Sequence, residues 1–240
     1  MYRSLAIIAG GLLLGVAPAA AEDHAATVIE LFTSEGCSSC PPADAYFGEL
    51  AKRSDVIALS YHVDYWDYLG WKDSYASKIM TERQRAYGQS LGSNYVYTPQ
   101  MVIGGAADAV GSDRVAVNRA IALREKSAVH IPLAVSQAKD GKLIVEVPSA
   151  KTKHDAVLWL IRYDSKHSVA IEHGENSGST LTYYNVVRNI EKLGSWNGQA
   201  TKIDVDPATL SDADHALVLL QTDGTGPILG YARLPDRSGS

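Results

Sequence analysis

Cys37 and Cys40 are the only cysteines of this 240-residue chain, and they stand between a strand-like run and a helix-like run. Before them, Thr27 to Phe32 (TVIELF) mixes β-branched and apolar residues, as a buried parallel strand does. After them come Pro41 and Pro42, then Ala43, Phe47, Leu50 and Ala51 at helical spacing. Proline is tolerated in a first helical turn, where amide hydrogens lack helical partners. The pair is therefore expected at a helix N-terminus, just beyond the carboxyl end of a strand. Unpaired amides and the positive end of the helix dipole favour a thiolate there. Cys37 is the expected nucleophile, and Cys40, one turn further in, the resolving thiol. A chain that leaned on disulfides for its fold would spread more cysteines along its length.

The strand and helix patterns continue in alternation. Val56 to Ser60 predicts a second strand, and Ser74 to Leu91 a second helix. A third strand starts near Thr98-Pro99, Gly104-Gly105 predicts a tight hairpin, and Asp108 to Val110 forms the return strand. Ser112 or Asp113 caps a last helix that reaches about Lys126. The predicted order is β-α-β-α-β-β-α, with the first two strands parallel and the last pair antiparallel. Beyond residues 126–130 short strand-like runs follow one another, separated by turn residues such as Asp140-Gly141, Gly174, Gly178 and Asp223-Gly224. That pattern predicts an all-β, sandwich-like second domain. The expected division is 1–21 as a signal peptide, 22–127 as an α/β domain and 128–240 as the β domain.

The signal peptide rests on Arg3, the apolar run Leu5 to Val16 and the small residues Ala19-Ala20-Ala21. The mature chain is expected to begin near Glu22 and to work in the periplasm or outside the cell. An uncleaved anchor is the alternative; no later run is apolar for long enough to span a bilayer. A formal charge of −5 gives no basic field for nucleic acid.

Other residues are expected to gather round the cysteines. If the third strand runs antiparallel to the first, its start reaches the cysteine edge of the sheet. Thr98 and Pro99 then lie beside the pair, and a cis bond there would offer the Thr98 backbone to an extended substrate. Glu30, within the apolar first strand, is a candidate buried base for the Cys40 proton; the alternative is a Glu paired with a basic neighbour. His62 and Asp64, with Asp67, follow the second strand and are candidate accessory groups; the alternative is a polar loop whose Trp66 and Trp71 fill a local core. His173-Gly174-Glu175-Asn176 reads as a polar turn with no chemistry assigned. Folded back over the cysteine edge, it would limit access to the pair.

With these residues in place the chain resembles the thioredoxin superfamily. More narrowly, the blocks ELFTSEGCSSCPPAD (30–44) and HVDYWDYLGW (62–71) resemble a bacterial family of secreted thioredoxin-like proteins without an assigned reaction. The resemblance implies a thioredoxin-like fold. It departs from thioredoxins at the pair itself. Gly36 stands where they have Trp, serines separate the cysteines, and the prolines come after Cys40. The expected function is an extracytoplasmic thiol–disulfide oxidoreductase acting on protein thiols or disulfides, with no cofactor. The alternatives are a soft-metal, copper-binding module with Cys37, Cys40 and His62 as ligands, and an interaction protein whose disulfide is structural.

Overall fold

The computed structural model describes residues 26–235, so the expected signal segment lies outside the described residues. Strand β1 (Thr27–Thr33) leads into helix α1 (Pro41–Leu50), strand β2 (Val56–His62) and helix α2 (Lys78–Ser90). Strands β3 (Gln100–Ile103) and β4 (Ala107–Val110) form a hairpin, and helix α3 (Arg114–Ser127) follows. Residues 104–106 connect the two strands: Gly104 and Gly105 both take positive φ, 57° and 65°, and Ala106 N donates to Ile103 O at 3.1 Å to close the tight turn. The Asp113 side chain accepts from the amides of Val115 and Ala116 and so caps α3. Strand β1 pairs parallel with β2 and antiparallel with β3.

The remaining strands are β5 (Ala134–Gln137), β6 (Leu143–Val147), β7 (Ala156–Ala170), β8 (Thr180–Trp196), β9 (Thr201–Val205), β10 (His215–Thr222) and β11 (Ile228–Arg233). Where the sequence pattern predicts a β-sandwich standing apart, the fold is more continuous. Eight strands form one mixed sheet in the order β11-β10-β7-β8-β2-β1-β3-β4, and only β5-β6-β9 stand in a second sheet. The physical reason is the free edge of β2, which β8 covers with the residue pair Ser60–Val186. The small sheet packs on one face of β7 and β10 through Val145, Val147, Leu158, Leu160, Val218 and Leu220. Two runs predicted as separate strands, 156–163 and 169–172, are largely one long strand, β7, which pairs with β8 over most of its length.

The two faces of the eight-stranded sheet carry different cores. Ile29 and Leu31 meet Ala43 and Phe47 of α1, while Val28 and Phe32 meet Met80 and Tyr87 of α2. Strand alternation therefore turns Glu30 toward α2, away from α1 and its cysteine. There its carboxylate accepts from Arg83 Nε at 2.8 Å and from the Tyr87 hydroxyl. Arg83 also donates to Gln221 of β10 at 2.9 Å, so one guanidinium ties both halves of the chain together. The assignment of Glu30 as base for Cys40 is corrected on this ground: it is the paired, buried Glu of the alternative reading.

Breaking a buried ion pair from one side strands the other charge in an apolar setting. Arg83→Met should cost about 3 kcal/mol or more in urea unfolding. Glu30→Gln should also destabilise, yet leave the rate of disulfide exchange unchanged. A Glu30→Gln protein of native stability with slowed exchange would return Glu30 to the chemistry.

Candidate functional site

The two sulfurs are joined in a Cys37–Cys40 disulfide. Cys40 is the N-cap of α1, with Pro41 and Pro42 in the first turn. Those prolines carry no amide hydrogen, so this helix end offers fewer donors to a sulfur than a proline-free one. Side chains stand in their place. The Thr98 hydroxyl donates to Cys37 Sγ at 3.2 Å, and Ser39 Oγ lies 3.4 Å from the same sulfur. The Trp66 indole donates to Thr98 Oγ1 at 2.8 Å and orients it. The Thr98–Pro99 bond is cis, and Pro99 immediately precedes β3 beside the pair. Both cysteines are buried, Cys37 at 1% and Cys40 at 0% exposure.

On the α1 side of the sheet, near the pair, lies a group of buried titratable side chains. Asp44 is four residues beyond Cys40, so the two share one face at the start of α1, and the Asp44 amide donates to Cys40 O at 3.1 Å. Neither of its oxygens has a hydrogen-bond partner. Burial raises its pKa to about 7; His62 and the nearby Thr33 hydroxyl temper the rise.

His62, at the end of β2, places Nδ1 2.8 Å from Asp73 Oδ2. Burial works against its charged form, but Asp73, with Asp44 and Glu35 behind it, more than offsets this and raises the pKa. Asp73 moves the opposite way: burial would raise it, and His62 with the amides of Glu35 and Tyr75 holds it low. Glu35 is raised by burial and then by Asp73, against the Trp71 indole that donates to it at 2.5 Å.

Ligand-type atoms of Glu35, His62 and Asp73 lie within 4.8 Å of one another. Asp73 is already filled by three backbone amides and the imidazole, so the trio reads as a hydrogen-bonded charge pair with an extra acid. The alternative set of Cys37, Cys40 and His62 is not assembled as ligands here. The sulfurs are bonded to each other; His62 Nδ1 is taken by Asp73, while its Nε2 has no hydrogen-bond partner.

Of the residues singled out in the sequence, Thr98, Pro99 and the cysteines meet at one place, with His62 in the buried group beneath. Asp64 does not join them: it accepts from Thr81 Oγ1 at 2.5 Å and ties its loop to α2. Asp44, Glu35 and Asp73 were not assigned chemistry from the sequence. Asp44 was findable as the acid one helical turn after Cys40; Asp73 sits in a loop with no local signal. The polar turn at 173–176 does fold back: Asn176 Nδ2 donates to the carbonyls of Glu35 at 2.8 Å and Cys37 at 3.1 Å.

A family described as "Protein of unknown function (DUF1223)" matches residues 28–221. The chain belongs to the DUF1223 family. The match takes in the cysteine pair, Asp44, Asp73, Thr98 and Asn176. A crystal structure of a protein from Agrobacterium tumefaciens is similar at 32% identity, over 90% of this chain and 97% of that one, with a TM-score of 0.76. Curated proteins yield no match. This DUF1223 chain thus shares its mixed α/β fold with that protein over most of its length.

Asp44 gives a pH signature. Unfolded, it releases its proton near 3.8; folded, it keeps it to about 7. Between those values the unfolded chain binds fewer protons, so this group's contribution to stability falls as pH rises through the window and levels off above it. Ionising it in place costs on the order of 4 kcal/mol. Asp44→Asn should therefore gain on the parent chain from pH 4 to 7 and hold that gain at pH 8. Urea unfolding of both proteins across this range checks it; a constant difference would remove the buried acid from the account.

Proposed function

We propose that this protein is an extracytoplasmic thiol–disulfide oxidoreductase whose N-terminal unit, residues 26–127, works as a thioredoxin-like module and whose remainder, 128–235, braces it. The carrying observation is Asp44: a buried carboxyl without a hydrogen-bond partner, one helical turn from Cys40. A disulfide kept only as a brace closes too short a loop to stabilise much, and it has no use for a costly acid next to it. A resolving thiol does, because it must lose a proton before it can attack.

In the reducing direction, the Cys37 thiolate attacks one sulfur of a substrate disulfide. One substrate thiolate leaves and takes up a proton, and a mixed disulfide remains. Cys40 gives its proton to Asp44 and attacks Cys37 Sγ, releasing the second substrate thiolate. The substrate has then gained two electrons, and the Cys37–Cys40 disulfide has formed. The oxidising direction runs the same steps backward. Thr98 donates to the Cys37 sulfur throughout, and its backbone beside Pro99 is suited to an extended substrate segment. His62 and Asp73 hold a charge pair next to Asp44 and tune it. An extracytoplasmic site accords with the disulfide, and no helix among the described residues is long and apolar enough to cross a membrane.

Titration of the mature protein against dithiothreitol, with iodoacetamide alkylation of the reduced form across pH, tests this reading. Reversible two-electron reduction is expected, with Cys37 alkylating below the ordinary thiol range near pH 8.5. Asp44→Asn should slow resolution of a Cys37 mixed disulfide about tenfold near neutral pH. A pair that yields to reductant only when the chain unfolds, or full activity in the double Ser variant, would leave the disulfide a structural tie.

A further inference from the structure

Cys37 is buried, yet the proposed chemistry brings its sulfur to a protein substrate. The loop that carries it is contacted from the far half of the chain. Residues 171–179 form the tip of the β7–β8 hairpin. The tip is built by its own bonds: Gly178 N donates to Ile171 O at 2.8 Å, and Ser177 Oγ to Glu172 O at 2.8 Å. Ile171 is buried, and Gly174, at φ 78°, packs so closely on Trp71 that a Cβ there would sit 3.1 Å from the Trp71 Cβ. The hairpin is also seated along its length. A Cβ on Gly48 of α1 would lie 2.5 Å from the Tyr184 ring, and Asn185 Nδ2 donates to Ala58 O at 2.9 Å.

From this seat Asn176 reaches the cysteine loop. The two hydrogens of one carboxamide go to two carbonyls, Glu35 O and Cys37 O, which bracket Gly36. Cys37 O also accepts from Cys40 N at 3.1 Å, so both of its lone pairs are used. Gly36 has little freedom of its own, since a Cβ there would stand 3.2 Å from Trp66 Cβ. From below, the Trp71 indole holds the Glu35 carboxyl. The loop is thus gripped at the carbonyls on either side of Gly36, and the grip does not involve the sulfurs.

We propose that Asn176 is a positioning residue that clamps the Cys37 loop closed, so that release of the hairpin tip sets how fast Cys37 becomes reachable. The inference rests on the redox reading for its purpose, but not for its test. Asparagine suits the task because it presents two hydrogens at short reach. Alanine removes both, and aspartate of the same shape turns lone pairs toward the carbonyls.

The experiment measures reduction of the Cys37–Cys40 disulfide in the whole mature chain by dithiothreitol, over a series of sub-denaturing urea concentrations. For Asn176→Ala the rate should rise about tenfold, matching two neutral hydrogen bonds of roughly 0.7 kcal/mol each. The urea dependence should stay shallow, as it does for a local opening. Asn176→Asp should be at least as fast, and it serves if the Ala variant does not fold. Asn176→Gln, able to donate again, should recover part of the parent rate. Rates within twofold of the parent in a folded Ala or Asp variant would overturn the clamp. So would acceleration that follows global unfolding in urea, since that is what a merely structural role predicts. Faster reduction in the variants without turnover of any disulfide substrate by the parent chain would defeat the redox reading and keep the clamp.

Discussion

The carboxylate of Asp73 ties three separate stretches of chain to one buried point. It accepts the imidazole of His62 at the end of β2, the amide of Glu35 just before the cysteines, and the amides of Tyr75 and Ala76 leading to α2. A carboxylate that takes several donors keeps its charge even where burial opposes it. Because Asp73 stays ionised, the His62 imidazolium is favoured, and that cation in turn acts on Asp44. The order of proton affinities near the disulfide thus traces back to one loop residue whose own backbone is steadied by Asp67.

This arrangement opposes stability locally. Asp44 and Glu35 both hold protons more tightly than they would in water, and several oxygens near them, including Thr33 Oγ1 and Tyr183 Oη, have no hydrogen-bond partner. Burying such groups is unfavourable, and folds keep them mostly where they serve chemistry. The compensation lies elsewhere: in the apolar contacts of α1 with the sheet, in the Arg83–Glu30 pair, and in the second core between β5-β6-β9 and β7-β10.

Where local chemistry dictated structure, the sequence was readable. Two prolines after Cys40 start α1, two glycines turn the β3–β4 hairpin, and Asp113 caps α3, all as the residue types require. What failed were features set by particular side-chain contacts. The helix expected from Ser74 begins at Lys78, because Asp73 takes the amides of Tyr75 and Ala76 into a turn of its own. Glu30 could be seen as a buried acid, but not that Arg83, 53 residues later, would claim it. The site was half legible for the same reason: the cysteines, Thr98 and Pro99 come from short motifs, whereas Asp73 and Asn176 act through contacts that no local spacing announces. Likewise nothing local revealed that β8 would extend the sheet of the first half.

That last junction has its own consequence. The halves of the eight-stranded sheet meet at one residue pair, Ser60–Val186, next to Asn185 in a left-handed backbone conformation. A full ladder there would make the sheet a single stiff plate. With one rung, at Val186 partway along β8, the lie of the long hairpin against the first half is set by side-chain packing at Gly48 and Trp71 more than by backbone pairing.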